Sequence, residues 1–205
     1  MSFDLREASV TNYLSALSER TPTPGGGAVA GTSLATAAAI AHMAIIFSKG
    51  RESLAAFDTQ HDEALKTLKN MQARGLELAE ADAEAYARLN SLWKLPKDDP
   101  TRQADWDDAV EAAIAAPAQV METGVELLSL LESLIEATSP MLRSDLAVAA
   151  ITADAAVRSA AWNVRINLPS VSNAEQATMH RETMDSRIAS GRSAAAAVEA
   201  GCLHG

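Results

Sequence analysis

Cysteine is almost absent from this chain of 205 residues: Cys202, near the C-terminus, stands alone, so no intrachain disulfide can form. That suits a reducing compartment, and a cytoplasmic location is the expectation. The opening MSFDLREASV has no basic stretch followed by an apolar run, so it does not read as a signal peptide. Aromatics are scarce at 4%, and strand-favouring residues are correspondingly few. Positive charge is also in deficit, because 17 basic and 27 acidic residues leave a formal net charge of −10. Nucleic acid and anionic membrane surfaces need a cationic face, so neither is an expected partner. An anionic small ligand stays admissible, since a helix N-terminus or a few local cations can hold one. Long apolar runs are limited to Ala28–Phe47, and Thr32, Ser33, Thr36 and His42 interrupt it. That stretch reads as a buried helix rather than a membrane span. Metal ligation lacks its signatures too. His42, His61, His180 and His204 show no ligand spacing, and no Glu-x-x-His occurs. No metal and no permanently bound cofactor are expected, and no motif anchors a serine triad.

What is abundant is alanine, about a fifth of the residues, within a hydrophobic share of 48%. Alanine is the best helix former, so the composition predicts an all-α chain. Breakers divide it into about six helices. The first runs from about Asp4 to Glu19 with Val10, Tyr13, Leu14 and Leu17 on one face. TPTPGGG (Thr21 to Gly27) interrupts, and a second helix follows to about Ser48. The third spans about Glu52 to Trp93 and ends at LPKDDP. The fourth spans Arg102 to about Ala137 with a kink expected at Pro117. Ser139 is placed to cap a fifth, which reaches about Asn167. The sixth runs from about Asn173 to Ala200. Helices this long without a domain-sized boundary predict one domain over 1–205, an elongated antiparallel bundle.

Two stripes carry polar groups inward. Steps of three and four on the third helix align His61, Leu65, Leu68, Gln72, Gly75, Ala79, Asp82, Tyr86, Leu89 and Trp93. A carboxylate at Asp82 must then be paired, protonated, beside a wet cavity, or at the stripe's edge in solvent. On the fifth helix, Asp145, Ala149, Thr152, Ala156, Ser159 and Asn163 form one stripe, with Asn167 close by. Leu142, Leu146, Ala150, Ala153, Val157, Ala160 and Val164 form another. The small, polar stripe either lines a pocket or makes a close helix contact with its hydroxyls bonded back to the backbone. The loop Thr23-Pro24-Gly25-Gly26-Gly27 opens into the second helix, where exposed amides and the helix dipole favour an anion or a polarised carbonyl. A rigid, glycine-rich turn is the alternative, and the loop lacks a phosphate-loop ending.

Three segments in order, PTPGGGAVAG, ADAEAYARLNSLWKLPKDD and SDLAVAAITADAAVRSAAWNVRINL, resemble the family of formiminotetrahydrofolate cyclodeaminase and methenyltetrahydrofolate cyclohydrolase. The resemblance covers nearly the whole chain. It implies a homodimeric helical bundle that takes a tetrahydrofolate derivative as substrate in a cleft near the proline-glycine loop. On that basis Asp145, Asp82 and Lys49 are the catalytic candidates. Thr23, Pro24, Gly25, Gly26, Gly27, Asn163 and Asn167 are the substrate-binding candidates. The expected reaction is hydrolysis of the methenyl bridge to formyltetrahydrofolate, with Asp145 holding the cation and taking the water's proton. The alternatives are cyclodeamination with release of ammonia, and a non-catalytic folate- or partner-binding protein. Arg158 and Arg165 are candidates for a glutamate tail, or else salt-bridged surface groups. The chain departs from the family pattern at Ile46–Arg51, where an asparagine is lost and the lysine displaced, and at Thr138–Met141.

Overall fold

The computed structural model describes residues 5–203, and every regular element among them is helical. The helices are α1 (Val10–Leu17), α2 (Gly26–Ser48), α3 (Asp58–Trp93), α4 (Pro100–Ser133), α5 (Arg143–Asn167) and α6 (Ala174–Leu203). Short 3-10 turns at Glu52–Phe57, Pro140–Leu142 and Leu168–Ser170 join them. The all-α expectation holds, and the differences lie at the ends. Asp4 is outside the described residues, and α1 is half the expected length and buries none of its residues. Val10 and Leu14 of its expected inner face are exposed. Asp99 caps α4 by accepting from the amides of Thr101 and Arg102, which moves its start to Pro100. Ser139 does not cap with its side chain. Its amide instead donates to Ser48 Oγ at 2.9 Å, tying the end of α2 to the start of α5.

Helix α2 lies at the centre, packed chiefly on α3 and α5. It is long and apolar enough to cross a membrane by length and composition, yet half of that window is buried within the bundle. Its small residues set the spacing. A Cβ on Gly31 would fall 2.5 Å from the carbonyl oxygen of Gly75, and one on Gly75 2.7 Å from that of Gly31. Two backbones therefore touch where two side chains are missing. Around this contact Leu34, Ile45, Leu68, Leu78, Leu89, Leu127, Leu128 and Leu146 are fully buried, each contributing roughly 1.5–3 kcal/mol.

The apolar stripe of α5 is buried from Leu146 to Val164, as its spacing predicts. The stripe of α3 drifts: Gln72, Tyr86 and Trp93 are exposed, while Ala64, Leu78, Ala85 and Leu92 take the inner positions. A run of threes and fours over thirty residues follows a period of 3.5, whereas a straight helix turns at 3.6. Proline 117 lies buried inside α4 and cannot donate to Ala113. The orphaned carbonyl of Ala113 accepts instead from Asn167 Nδ2 at 3.1 Å, so α5 repairs the break in α4.

Candidate active site

Gly25 ends the proline-glycine loop and occupies the N-cap of α2 without any side-chain cap. The first backbone bond of the helix runs from Val29 to Gly25 at 3.1 Å, leaving the amides of Gly26, Gly27 and Ala28 without intrahelical acceptors. These amides and the aligned peptide dipoles make a positively polarised surface. Pro24 beneath it is buried, Gly26 is exposed, and Thr23 and Gly25 are half-buried.

Two side chains meet this turn. A Cβ on Gly27 would fall 1.8 Å from Oδ2 and 2.1 Å from Cγ of Asp82. The absent methyl is therefore the seat of the carboxylate. Asp82 makes no ion pair and no hydrogen bond among the described residues, and burial raises its pKa from 3.8 to about 6. From the other side Asn163 approaches Gly26, with Oδ1 3.2 Å from the position of a Cβ. Its Nδ2 donates to the carbonyl of Ser159 at 3.2 Å, which turns Oδ1 toward the glycines. The polar stripe of α5 thus serves both readings its spacing allowed. Thr152 Oγ1 bonds back to Val148 at 2.7 Å, while Asn163 borders the loop.

Of the ten candidate residues, the structure brings together Gly25, Gly26, Gly27, Asp82 and Asn163, with Thr23 and Pro24 behind them. Asn167 lies one turn further, and its Nδ2 is committed to the carbonyls of Ala113 and Asn163. The other two catalytic candidates sit at the opposite end of the chain's own bundle. Asp145 precedes Asn163 by 18 residues on one helix, about 27 Å. Lys49 follows the whole length of α2 and pairs with Asp62 on the surface. Around that far end His61 is fully buried and bonded to the carbonyl of Ala137 at 2.7 Å, the satisfied-core role. Arg158 pairs with Asp154 at 3.3 Å, and Arg165 pairs with Asp185 at 4.0 Å and stacks on Trp162, so both fit the salt-bridged reading. No cluster of three metal-ligating residues occurs among the described residues.

Sequence spacing missed two things. One is the pairing of each loop glycine with a particular side chain, Gly27 with Asp82 and Gly26 with Asn163. The other is that Asn167 answers Pro117. Both join residues dozens of positions apart, and only the mid-helix proline left a signal.

An acid poised near neutrality, beside polarised amides and an amide oxygen, can take and return a proton next to a bound cation or carbonyl. Residues 9–186 match the family model described as formiminotransferase-cyclodeaminase. The chain is 30% identical over 190 residues to the formimidoyltransferase-cyclodeaminase of Sus scrofa, covering 91% of this chain and 35% of that protein. It spans about a third of the length of the two-activity relatives it matches. It is 27% identical to the methenyltetrahydrofolate cyclohydrolase of Methylorubrum extorquens, with 78% of each chain covered. Its fold matches a formiminotetrahydrofolate cyclodeaminase from Thermotoga maritima at a TM-score of 0.89, with 24% identity and 97% of each chain covered.

Proposed function

From the premise that this chain belongs to the formiminotransferase-cyclodeaminase family, we propose that it is an enzyme acting on the one-carbon unit of a tetrahydrofolate derivative. The preferred reaction is hydrolysis of the methenyl bridge. The observation that carries the proposal is Asp82, a partly buried carboxyl held near pKa 6 against the amides of α2.

The methenyl carbon joins two nitrogens and shares a positive charge with them. Ionised Asp82 faces that cation and accepts a proton as water forms its bond to the carbon, giving a neutral adduct. The bond from that carbon to the ring nitrogen then breaks. Its electron pair goes to the nitrogen, which takes the proton back from Asp82. The hydroxyl becomes the formyl carbonyl and releases its proton to solvent. A pKa near 6 suits a group that must take and return one proton in each turnover. The amides of Gly26 and Gly27 and Oδ1 of Asn163 are placed to bind polar edges of the substrate. The cyclohydrolase relative supports this reading, because the match covers 78% of that protein rather than a third.

Cyclodeamination is the second reading, favoured by the higher identity to the cyclodeaminase relatives, 30% against 27%. It passes through a related adduct that carries an amino group where hydrolysis places a hydroxyl, so Asp82 would serve either. The test is the absorbance of methenyltetrahydrofolate mixed with purified protein. Decay above the uncatalysed rate that Asp82→Asn abolishes supports hydrolysis. Absence of acceleration, with formation of the same chromophore from formiminotetrahydrofolate, transfers the assignment to cyclodeamination. Neither activity would overturn both.

A further inference from the structure

We propose that Pro117 is a positioning residue for the site at the start of α2, acting through Asn167 on Asn163. The inference rests on the functional reading above for what Asn163 does in turnover, whereas the linkage itself stands on geometry alone. It gives Asn167 a task other than the substrate contact implied by the resemblance.

Pro117 lies inside a helix of 34 residues. It has no N–H, and its ring crowds the carbonyl four residues earlier, so Ala113 loses its helical donor. Ala113 and Pro117 are both buried, so that carbonyl needs a donor from the protein. The donor comes from α5, where Asn167 Nδ2 reaches Ala113 at 3.1 Å. The same nitrogen donates to the carbonyl of Asn163 at 2.9 Å. Both acceptors are carbonyl oxygens, so the amide can face them only with its NH2 group, and both of its hydrogens are used. Asn167 is also the N-cap of the 3-10 turn Leu168–Ser170, and an asparagine at a cap commonly accepts from the amides that follow. It makes no such bond here and reaches back instead. An alanine at 117 would satisfy Ala113 within α4 and leave one hydrogen of Asn167 without its acceptor. The direction of the Asn167 side chain therefore depends on the proline.

The effect arrives one turn earlier on α5, about 6 Å along its axis. The carbonyl of Asn163 is held by Asn167 and, through it, by α4. The Asn163 side chain is fixed separately: Nδ2 donates to Ser159 at 3.2 Å, which leaves Oδ1 3.2 Å from the Cβ position of Gly26. Trp106 Nε1 adds a second tie between α4 and the end of α5 by donating to Ser170 at 3.2 Å. Helix ends fray unless such bonds hold them, and this end carries the side chain that borders the open amides of α2. Asp82 stands on α3, outside the linkage. Loosening the linkage should therefore weaken substrate binding and leave the proton transfer nearly intact.

The test compares Pro117→Ala, Asn167→Leu and Asn163→Ala, singly and in pairs, on whichever of the two folates the wild type turns over. Pro117→Ala should raise KM about three- to tenfold, the range for one lost hydrogen bond, and change kcat less than about twofold. Asn167→Leu should raise KM alike, and it leaves α4 unaltered should Pro117→Ala disturb the packing. In the Asn163→Ala background neither substitution should raise KM further, because both act through that residue. Two readouts need no turnover. In nitrogen-15 NMR the side-chain amide signal of Asn163, identified by its loss in Asn163→Ala, should shift and exchange its hydrogens faster in both other variants. In urea, Asn167→Leu should lower the unfolding midpoint less alongside Pro117→Ala than alone, since residue 117 then supplies the missing donor. Turnover with an unchanged KM in Pro117→Ala, or a rise that persists in Asn163→Ala, overturns the positioning role. Additive urea midpoints with an unmoved Asn163 signal overturn the linkage. Coupled midpoints and a moved signal, in a protein that turns over neither folate, count instead against the proposed reaction alone.

Discussion

Replacing Asp82 by asparagine should make the protein more stable and less active, and the stability gain should depend on pH. The carboxyl sits in the space a Gly27 side chain would fill, and it makes no ion pair and no hydrogen bond among the described residues to offset its burial. Burial raises its pKa from 3.8 to about 6. The native state therefore binds more protons than the unfolded state between those values. Stability falls as pH rises through that window and levels off above it. Two pKa units correspond to about 3 kcal/mol, and partial exposure reduces this to roughly 2 kcal/mol. Asparagine keeps the shape and carries no charge, so it removes the penalty. For a chain of this size the gain amounts to roughly 4–8 °C in Tm at pH 8, vanishing near pH 3.5. Thermal unfolding of both proteins across pH 3.5–8, followed by circular dichroism, measures it. A Tm difference that is the same at all pH values, or a variant less stable at pH 8, would refute the argument. In the same variant turnover should fall at least about 100-fold, the usual share of a positioned acid–base group.

Gly27→Ala puts a methyl into the carboxylate's seat, so Asp82 must swing away. Methenyltetrahydrofolate turnover should drop at least about tenfold and lose its inflection near pH 6 while the fold persists, as a pH–rate profile and circular dichroism would show. Gly31→Ala sets a methyl against the backbone of α3 at 2.5 Å from Gly75, and urea unfolding should register a loss of about 2–4 kcal/mol. Asn167→Leu leaves the carbonyl of Ala113 orphaned beside Pro117, which should lower stability by about 1–3 kcal/mol in the same assay. Lys49→Ala removes only a surface pair with Asp62. It should change stability by less than about 1 kcal/mol and activity by less than twofold in parallel unfolding and turnover measurements.

Composition and spacing determined a great deal by themselves. Abundant alanine with few strand formers made the chain helical, because helix propensity and period are local properties. The breakers at Thr21–Gly27, Leu95–Pro100 and Leu168–Ser170 set the helix boundaries to within a few residues. The apolar row from Leu146 to Val164 was legible because a period of 3.6 holds well over 25 residues. On α3, which runs for 36 residues, the same counting drifted off the buried face at Gln72, Tyr86 and Trp93. The segments that carry the family resemblance were equally visible as strings of residues.

Only the tertiary structure decided which of the marked residues meet. Asp82 joins Gly27, and Asn163 joins Gly26, because α3 and α5 both run antiparallel to α2 and bring their distant ends to its first turn. Asp145 shares a stripe with Asn163 but not a place, since a stripe fixes direction around a helix and leaves position along it free. Whether a polar side chain on such a stripe becomes a reactive group depends on what packs against it. That packing arises from contacts dozens of residues apart in the chain, and helical periodicity does not encode them.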